Sequence, residues 1–320
     1  MATALLFERD DVDRLEDWAE RLPRLGRSAI LWIDLERPTR EEIEELAAAL
    51  DLERETAERL ADGGRGAQLS DHGAYLHVTA WAPSDAQHRE LQRVACLVSE
   101  RWIVSVHEGP VAMLEAFRER ATGSGQTGRL DGPEFLANLL EWVLASYLAA
   151  FEEIEKALEE VDARAMRGEA RADERLLGRL VQHRREVGRL RRALVSHREL
   201  LLALARPELE ALGGEDAAER FAALRDRLEQ VVQAARDSRD AVTASFDVLI
   251  ASTGQRTNDI MKVLTLASVL LLPGSLVAGI LGMNFRLGVF ETEAYFWVVV
   301  AGMAAVALGT VLVARARRWI

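Results

Sequence analysis

The sequence has little cysteine and fewer basic than acidic residues, and each of these features argues against a class of protein. Cys96 is the single cysteine among 320 residues, so the chain offers neither an intramolecular disulfide nor a cysteine-based metal site. We expect Cys96 to be a small buried hydrophobe in a strand. Forty Lys and Arg stand against 52 Asp and Glu, which gives a formal net charge of −12. This balance argues against a general affinity for nucleic acid.

The sequence also lacks the local motifs of common enzymes. It contains no nucleophile elbow, no phosphate loop and no HExxH segment, and its six histidines are scattered. We therefore expect no enzyme, no catalytic residue and no cofactor. The length allows two domains, or one domain with extended helices.

Charge is missing altogether from residues 263–285, a run long enough to cross a membrane. A second apolar run begins at Ala294 and predicts a span over 295–314, joined to the first by the short loop 286–294. Two apolar runs in succession in so charged a chain predict a membrane hairpin rather than two buried core helices. The basic tail 315–320 follows the second span.

Basic residues beside the spans predict their orientation. Arg256 and Lys262 precede the first span and three arginines follow the second, whereas the loop carries Glu291 and Glu293 with a single arginine. We expect both chain ends in the cytoplasm at the inner membrane and the acidic loop outside. Residues before the first span then form a cytoplasmic region.

The first part of that region, residues 1–128, is predicted to be an α/β domain. Apolar runs at 28–35 and 74–82 predict strands, and the two runs that follow, up to His107, predict a hairpin. Thr39 and Glu42 form a capping box before a helix, and Val111–Ala121 predicts another. Residues 122–128 have the composition of a linker.

Residues 129–214 are predicted to form an antiparallel helical pair, with helices over 133–166 and 172–206. The first helix is acidic near its end and the second is rich in arginine, so we expect salt bridges between them rather than a nucleic-acid-binding helix. The arginines are Arg184, Arg185, Arg189, Arg191 and Arg192.

Residues 215–262 are predicted to form a stalk helix that continues into the first span. Apolar residues recur along it at spacings of three and four, as in a coiled coil. They are Phe221, Leu224, Leu228, Val231, Ala235, Val242 and Leu249.

A second stripe, mostly polar or small, runs along the first span. Its members are Asn258, Met261, Thr265, Ser268, Leu272, Ser275, Gly279 and Gly282. Small residues at this spacing are typical of close helix packing, but hydroxyls alternating with apolar residues also suit a pore wall. One chain with two spans cannot enclose a pore, so the second interpretation requires a symmetric ring with first spans inside and second spans outside.

In such a ring Asn284 would place one amide carbonyl per subunit at the outer mouth. These oxygens are neutral and accept hydrogen bonds from the water shell of a cation, which suits Mg²⁺ because it gives up its water reluctantly. Asn284 would thus contact the metal through hydrating water. Glu291 and Glu293 would raise the local cation concentration, and Arg286 would oppose them.

The sequence resembles the CorA family of divalent-cation transporters. The resemblance rests on Gly282-Met283-Asn284 after the first of two C-terminal spans, and on the whole stretch 257–285. It implies a funnel-shaped homopentamer with an αβα-sandwich cytoplasmic domain and long stalk helices, and a selectivity site at Gly282, Met283 and Asn284. The positions that match the family's pore lining are Asn258, Met261, Leu264, Ser268, Leu272 and Ser275.

The chain departs from the family's pattern at two places. Asp247 matches a stalk carboxylate that holds a regulatory ion in magnesium-gated members, but Arg59 stands beside Glu58 where the resemblance puts the second carboxylate. An arginine there could pair with Asp247 and replace the ion. The loop after Asn284 also lacks the family's usual Met-Pro-Glu run.

The resulting prediction is a carrier of hydrated Mg²⁺ or Co²⁺ into the cytoplasm, whose partners are its own copies, membrane lipid and the cations. The two departures keep open a ZntB-like zinc-transporting branch, although Met283 favours magnesium or cobalt. A membrane-anchored coiled-coil scaffold without transport is the alternative from another class.

Overall fold

The computed structural model describes residues 2–8, 11–26, 29–62, 67–84, 90–123, 132–167, 173–206, 215–283 and 293–316. The chain divides into two compact units. The first is Met1–Asp162 with Glu174–Phe246, and the second is Ala163–Asp173 with Asp247–Ile320.

Seven strands of the first unit form one mixed sheet in the order β2-β1-β3-β7-β6-β5-β4. The β3–β7 pair is parallel and every other neighbouring pair is antiparallel. The strands are β1 (Ala2–Glu8), β2 (Asp11–Leu15), β3 (Ala29–Glu36), β4 (Gln68–Asp71), β5 (Leu76–Pro83), β6 (Leu91–Val98) and β7 (Trp102–His107).

The central strands are covered on both faces. In β3 every residue from Ala29 to Leu35 is buried, which is why its sequence is apolar throughout except at Asp34 and does not alternate. The predicted strands and the hairpin of β6 and β7 are confirmed, and Cys96 is buried within β6. The sequence reasoning missed β1, β2 and β4.

Four helices precede the long helical part of the chain. They are α1 (Trp18–Arg21), followed by a 3₁₀ turn (Leu22–Arg24), α2 (Arg40–Leu50), α3 (Arg54–Asp62) and α4 (Ala112–Gly123). The capping box that starts α2 is confirmed: the Glu42 amide donates to the Thr39 hydroxyl at 3.2 Å, and the Thr39 amide donates to the Glu42 carboxylate at 2.8 Å.

Helices lie on both faces of the sheet. On one face α2 and α3 contribute Ile43, Leu46 and Leu60 to a core shared with β3, β6 and β7. On the other, the Trp32 ring of β3 meets Phe117 of α4 at 5.5 Å between ring centroids and Phe135 of α5 (Gly132–Arg167) at 5.3 Å. The predicted αβα sandwich is confirmed.

The predicted helical pair is α5 and α6 (Asp173–Leu204), and it is followed by α7 (Glu215–Leu281). Other parts of the same chain bury the apolar stripe of the stalk. The exposed fraction of its side chains ranges from 0% for Phe221 to 7% for Leu224. Ser238 of α7 donates to the Glu155 carboxylate of α5 at 3.0 Å, and Arg198 of α6 pairs with Glu229 of α7 at 3.1 Å. The stripe therefore packs a bundle of helices from one chain.

The expected salt bridges between α5 and the arginine run of α6 are mostly wrong. Across the described residues, the ion pair between these two helices is Arg179–Glu160 at 3.7 Å, and its arginine precedes the run. Arg189 and Arg192 are exposed on α6, and Glu152 and Glu159 are exposed on α5.

The second unit contains the C-terminal part of α7 and α8 (Glu293–Ala316). Within the described part of the chain, three helices are long and apolar enough to cross a membrane. The apolar window of Gly132–Arg167 is 56% buried in the protein, whereas those of Glu219–Ile280 and Ala294–Ala316 are 0% buried. The apolar segments of α7 and α8 are the membrane spans. Pro273 lies inside α7 without ending it.

Candidate ion pathway

The first span has two different faces. Leu266, Leu270, Gly274 and Val277 are partly buried and recur every three or four residues, so they share one side of α7. A Cβ added to Gly274 would lie 3.1 Å from the terminal carbon of Met303 on α8. Helix α8 therefore packs on this side.

The predicted pore positions lie on the other side of α7. At about 100° per residue, Ser268 and Ser275 are roughly opposite Leu270 and Val277. Six of the seven predicted positions are exposed in the single chain and Ser268 is half-buried. The exposed ones are Asn258, Met261, Leu264, Thr265, Leu272 and Ser275.

Two hydroxyls on this face have a defined hydrogen-bonding role. Ser268 donates to the Leu264 carbonyl at 2.9 Å, and Ser275 donates to the Leu271 carbonyl at 2.8 Å. Since each hydroxyl hydrogen is engaged with its own helix, the oxygen lone pairs remain as acceptors. An acceptor surface suits the hydrogens of water around a cation.

Thr265 lies at the border of the predicted pore face. It lines a groove of about 450 Å³ between the two spans, together with Val269 of α7 and Val306, Gly309 and Val313 of α8. Its neighbours in the groove are apolar apart from Thr310 of α8, whose hydroxyl donates to the Val306 carbonyl of its own helix at 2.9 Å. Thr265 therefore faces the groove between the spans, whereas Ser268 and Ser275 lie near the centre of the predicted pore face.

Helix α7 ends at the Gly-Met-Asn motif. The Gly282 amide donates to the Ala278 carbonyl at 2.9 Å, and the Met283 amide to the Ile280 carbonyl at 3.2 Å. Met283 is exposed. Asn284 and Glu291 lie outside the described residues, and Glu293 is the first residue of α8.

The predicted regulatory residues lie in both units. On α3, Glu58 pairs with Arg54 at 2.8 Å, and Arg59 pairs with Glu55 at 2.7 Å and donates to the Ser70 hydroxyl at 2.9 Å. Asp247 is an exposed residue of α7. Within the described residues, no three His, Cys, Asp or Glu side chains are grouped to hold a metal ion.

The sequence reasoning missed a buried polar cluster at the junction of β3, β7 and α4. The Asp34 carboxylate accepts from Ser105, lies 3.3 Å from the His107 ring nitrogen Nε2 and pairs with Arg118. Burial raises the pKa of Asp34, but hydrogen bonds from His107 and Ser105 and the nearby positive charges outweigh burial and lower it. The signal in the sequence is an aspartate inside an otherwise apolar strand.

This polar cluster also sets the charge of His107. Burial lowers the pKa of His107, yet its contacts with Asp34 and the Gly109 carbonyl raise it overall. The cluster therefore joins a carboxylate to two cationic groups and attaches α4 to the sheet. It stabilises the fold of the cytoplasmic unit and lies in the interior of the sandwich.

Comparison with known proteins identifies the family. Residues 27–315 match the model of the CorA-like Mg²⁺ transporter protein family. The chain belongs to this family. The expected membership is confirmed, and the CorA-like fold accounts for both the sandwich domain and the two C-terminal spans.

Individual relatives are distant. The cobalt/magnesium transport protein CorA of Thermotoga maritima is 24% identical over 233 residues, which cover 72% of this chain and 65% of the relative. The aligned part thus spans just under two thirds of that protein.

Solved structures agree in fold. The complete CorA magnesium transporter of Methanocaldococcus jannaschii superimposes with a TM-score of 0.77 at 19% identity, covering 100% of this chain and 99% of that one. The cytoplasmic domain of ZntB from Vibrio parahaemolyticus gives 0.58 at 13% identity, covering 79% of this chain and 98% of that domain. These similarities establish a CorA fold from end to end.

Proposed function

We propose that this CorA-like protein moves hydrated Mg²⁺ or Co²⁺ across the inner membrane into the cytoplasm through a ring of its own copies. The observation that carries the proposal is the position of α8, which packs on the side of α7 opposite Ser268 and Ser275. With second spans outside and first spans inside, the hydroxyl face of every subunit meets the ring axis.

Each part of that face has a chemical role. Asn284 binds the water shell of the incoming ion at the outer mouth, beside Gly282 and Met283. The oxygens of Ser275 and Ser268 accept hydrogen bonds from the same water further in. Apolar constrictions close the path by excluding water, and they are formed by Leu272, Leu264 and Met261.

A homopentamer, as the family resemblance implies, is the proposed assembly, embedded in lipid through the outer face of α8. The relative from Thermotoga maritima carries cobalt and magnesium in its name, and Met283 in the signature also favours these ions. Zn²⁺ transport, with or without proton coupling, is the second candidate. The similarity to the ZntB cytoplasmic domain supports it.

Control of the pore is proposed to differ from metal-gated relatives. Arg59 already pairs with Glu55 and has a hydroxyl partner in Ser70, and a guanidinium has five donors, so it can also bind Asp247 of another copy. A salt bridge would then replace a regulatory ion. Arg59→Asp should restore inhibition of flux by cytoplasmic Mg²⁺, and unchanged flux and protease sensitivity across Mg²⁺ concentrations would refute this mechanism.

Flux into liposomes tests the transport proposal. Purified protein is reconstituted with Mg²⁺- or Zn²⁺-reporting dyes inside, and Asn284→Ala is compared with Thr310→Ala on α8, whose hydroxyl bonds its own helix. We expect Mg²⁺ entry that Asn284→Ala abolishes and Thr310→Ala preserves. Zn²⁺ entry with little Mg²⁺ would favour the second candidate, and no entry through oligomeric protein would favour a scaffold.

A further inference from the structure

Two cations of the arginine run of α6, Arg189 and Arg192, lie beside a cavity. Among the described residues, no carboxylate lies within 4.0 Å of Arg189 or Arg192. Both are exposed in a chain whose net charge is −12. Their spacing of three residues places them on neighbouring turns of one helix face.

The cavity is an open groove on the protein surface, with a volume of about 600 Å³, between α6 and the adjoining ends of β5 and β6. This volume is in the range of sites for small organic ligands. Its lining divides into an apolar part with Trp81, Leu91 and Ala193, and a polar part with the two arginines, Glu90 and Ser196.

Hydrogen bonds fix the walls of the cavity. The Trp81 amide donates to the buried His197 ring at 3.2 Å, and the Tyr147 hydroxyl donates to the Trp81 carbonyl at 2.9 Å. The other His197 nitrogen lies 2.8 Å from the Ala193 carbonyl. Residues from α5, α6 and β5 are thus held together, so a ligand would find the site largely preformed.

Ser196 adds a polar group of defined role. Its hydroxyl donates to the Ala193 carbonyl at 2.7 Å, so its oxygen is left to accept a hydrogen bond from a ligand. Glu90 is likewise an acceptor. Acceptors of this kind suit sugar hydroxyls or amino groups, whereas unpaired guanidinium groups suit phosphate oxygens.

We propose that this cavity is a binding site for a nucleoside polyphosphate. Arg189 and Arg192 bind the phosphates, the apolar part with Trp81 and Leu91 receives the base, and Glu90 and Ser196 accept hydrogen bonds from ribose or the base. The site belongs to the cytoplasmic unit alone, so the proposal is independent of the transport mechanism.

Equilibrium dialysis tests the proposal. It measures binding of ATP to the full-length protein in detergent at a fixed concentration of free Mg²⁺. We expect the pair Arg189→Glu and Arg192→Glu to weaken ATP binding at least tenfold. The matched control is the pair Arg184→Glu and Arg191→Glu, which changes the charge of α6 equally but lies outside the cavity lining. It should change binding less than threefold.

A variant that changes no charge distinguishes the contribution of the cavity from that of the arginine charges. Ala193→Leu fills the cavity and should also weaken ATP binding at least tenfold, whereas Val195→Leu on the exposed surface should not. Equal weakening by both arginine pairs would overturn the proposal, because it would indicate a diffuse electrostatic effect. Absence of ATP binding, or displacement of ATP by an equal concentration of pyrophosphate, would overturn the nucleotide assignment.

Discussion

The two units of this protein differ in how far their apolar side chains are exposed. In the cytoplasmic unit Leu46 and Trp32 are buried at 0% and 1% exposure, while in the second unit Leu272 and Trp297 are both 66% exposed. The first unit covers its apolar surface with its own chain. The second unit leaves the apolar surface of its spans exposed in the single chain, and in the proposed ring lipid and other copies would cover that surface.

A matched pair of substitutions tests this contrast with the largest expected effect. Leu46→Ala removes packing from a filled core and should lower the free energy of unfolding by about 2–5 kcal/mol. Leu272→Ala removes a side chain that contacts little in the single chain and should leave the stability of detergent-solubilised monomer nearly unchanged. Thermal unfolding monitored by circular dichroism measures both, and equal losses would contradict the contrast.

Acid should destabilise the cytoplasmic unit through His77. Burial, with the charges of Arg59, Arg93 and His72, lowers the pKa of His77 from 6.5 to about 4. The unfolded chain therefore binds the proton more tightly, so stability is intact above pH 6.5 and is lost as pH falls toward 4. The loss is on the order of 3 kcal/mol.

His77→Gln removes this titration. Its melting temperature should fall less than that of the parent protein between pH 6.5 and pH 4, and the two pH profiles should run parallel above pH 7.5. A parallel decline at acid pH would show that other groups cause the loss.

Two glycines of α7 distinguish the face packed on α8 from the predicted pore face. A Cβ at Gly274 would meet Met303 at 3.1 Å, whereas among the described residues no atom lies within 4 Å of a Cβ at Gly279. Gly274→Leu should overpack the spans and cost about 1–3 kcal/mol. Gly279→Leu should leave monomer stability unchanged and reduce flux, and a reversal of these effects would contradict the assignment of faces.

Sequence reasoning succeeded where burial imposes a strong pattern. The apolar run of β3, the Thr39 capping box and the two membrane spans were all predicted from residues alone. It missed β1, although that strand is apolar, and it missed the two edge strands β2 and β4. The short polar run Asp11–Leu15 acquires its strand from pairing with β1 and not from its own composition. Edge strands of this kind depend on long-range contacts that periodicity does not report.

Part of the candidate site could be predicted because it also has a regular pattern in the sequence. The hydroxyl stripe is a periodic feature, and the motif at Gly282 marks the end of α7. In contrast, the buried cluster around Asp34 and the arginines beside Trp81 depend on which side chains meet across elements. Charge composition alone predicted salt bridges between α5 and the arginine run of α6, whereas the described pair between these helices, Arg179–Glu160, uses an arginine that precedes the run.

The central claim is that the face of α7 opposite α8 lines a water-filled path. Ser275→Cys and its matched control Val277→Cys can be tested in liposomes with a charged, water-soluble thiol reagent. Cys96 is a suitable background because it is buried and burial raises its pKa to about 12. We predict fast modification at position 275, with loss of Mg²⁺ flux, and little modification at position 277. Equal modification of both, or faster reaction at 277, would contradict the account.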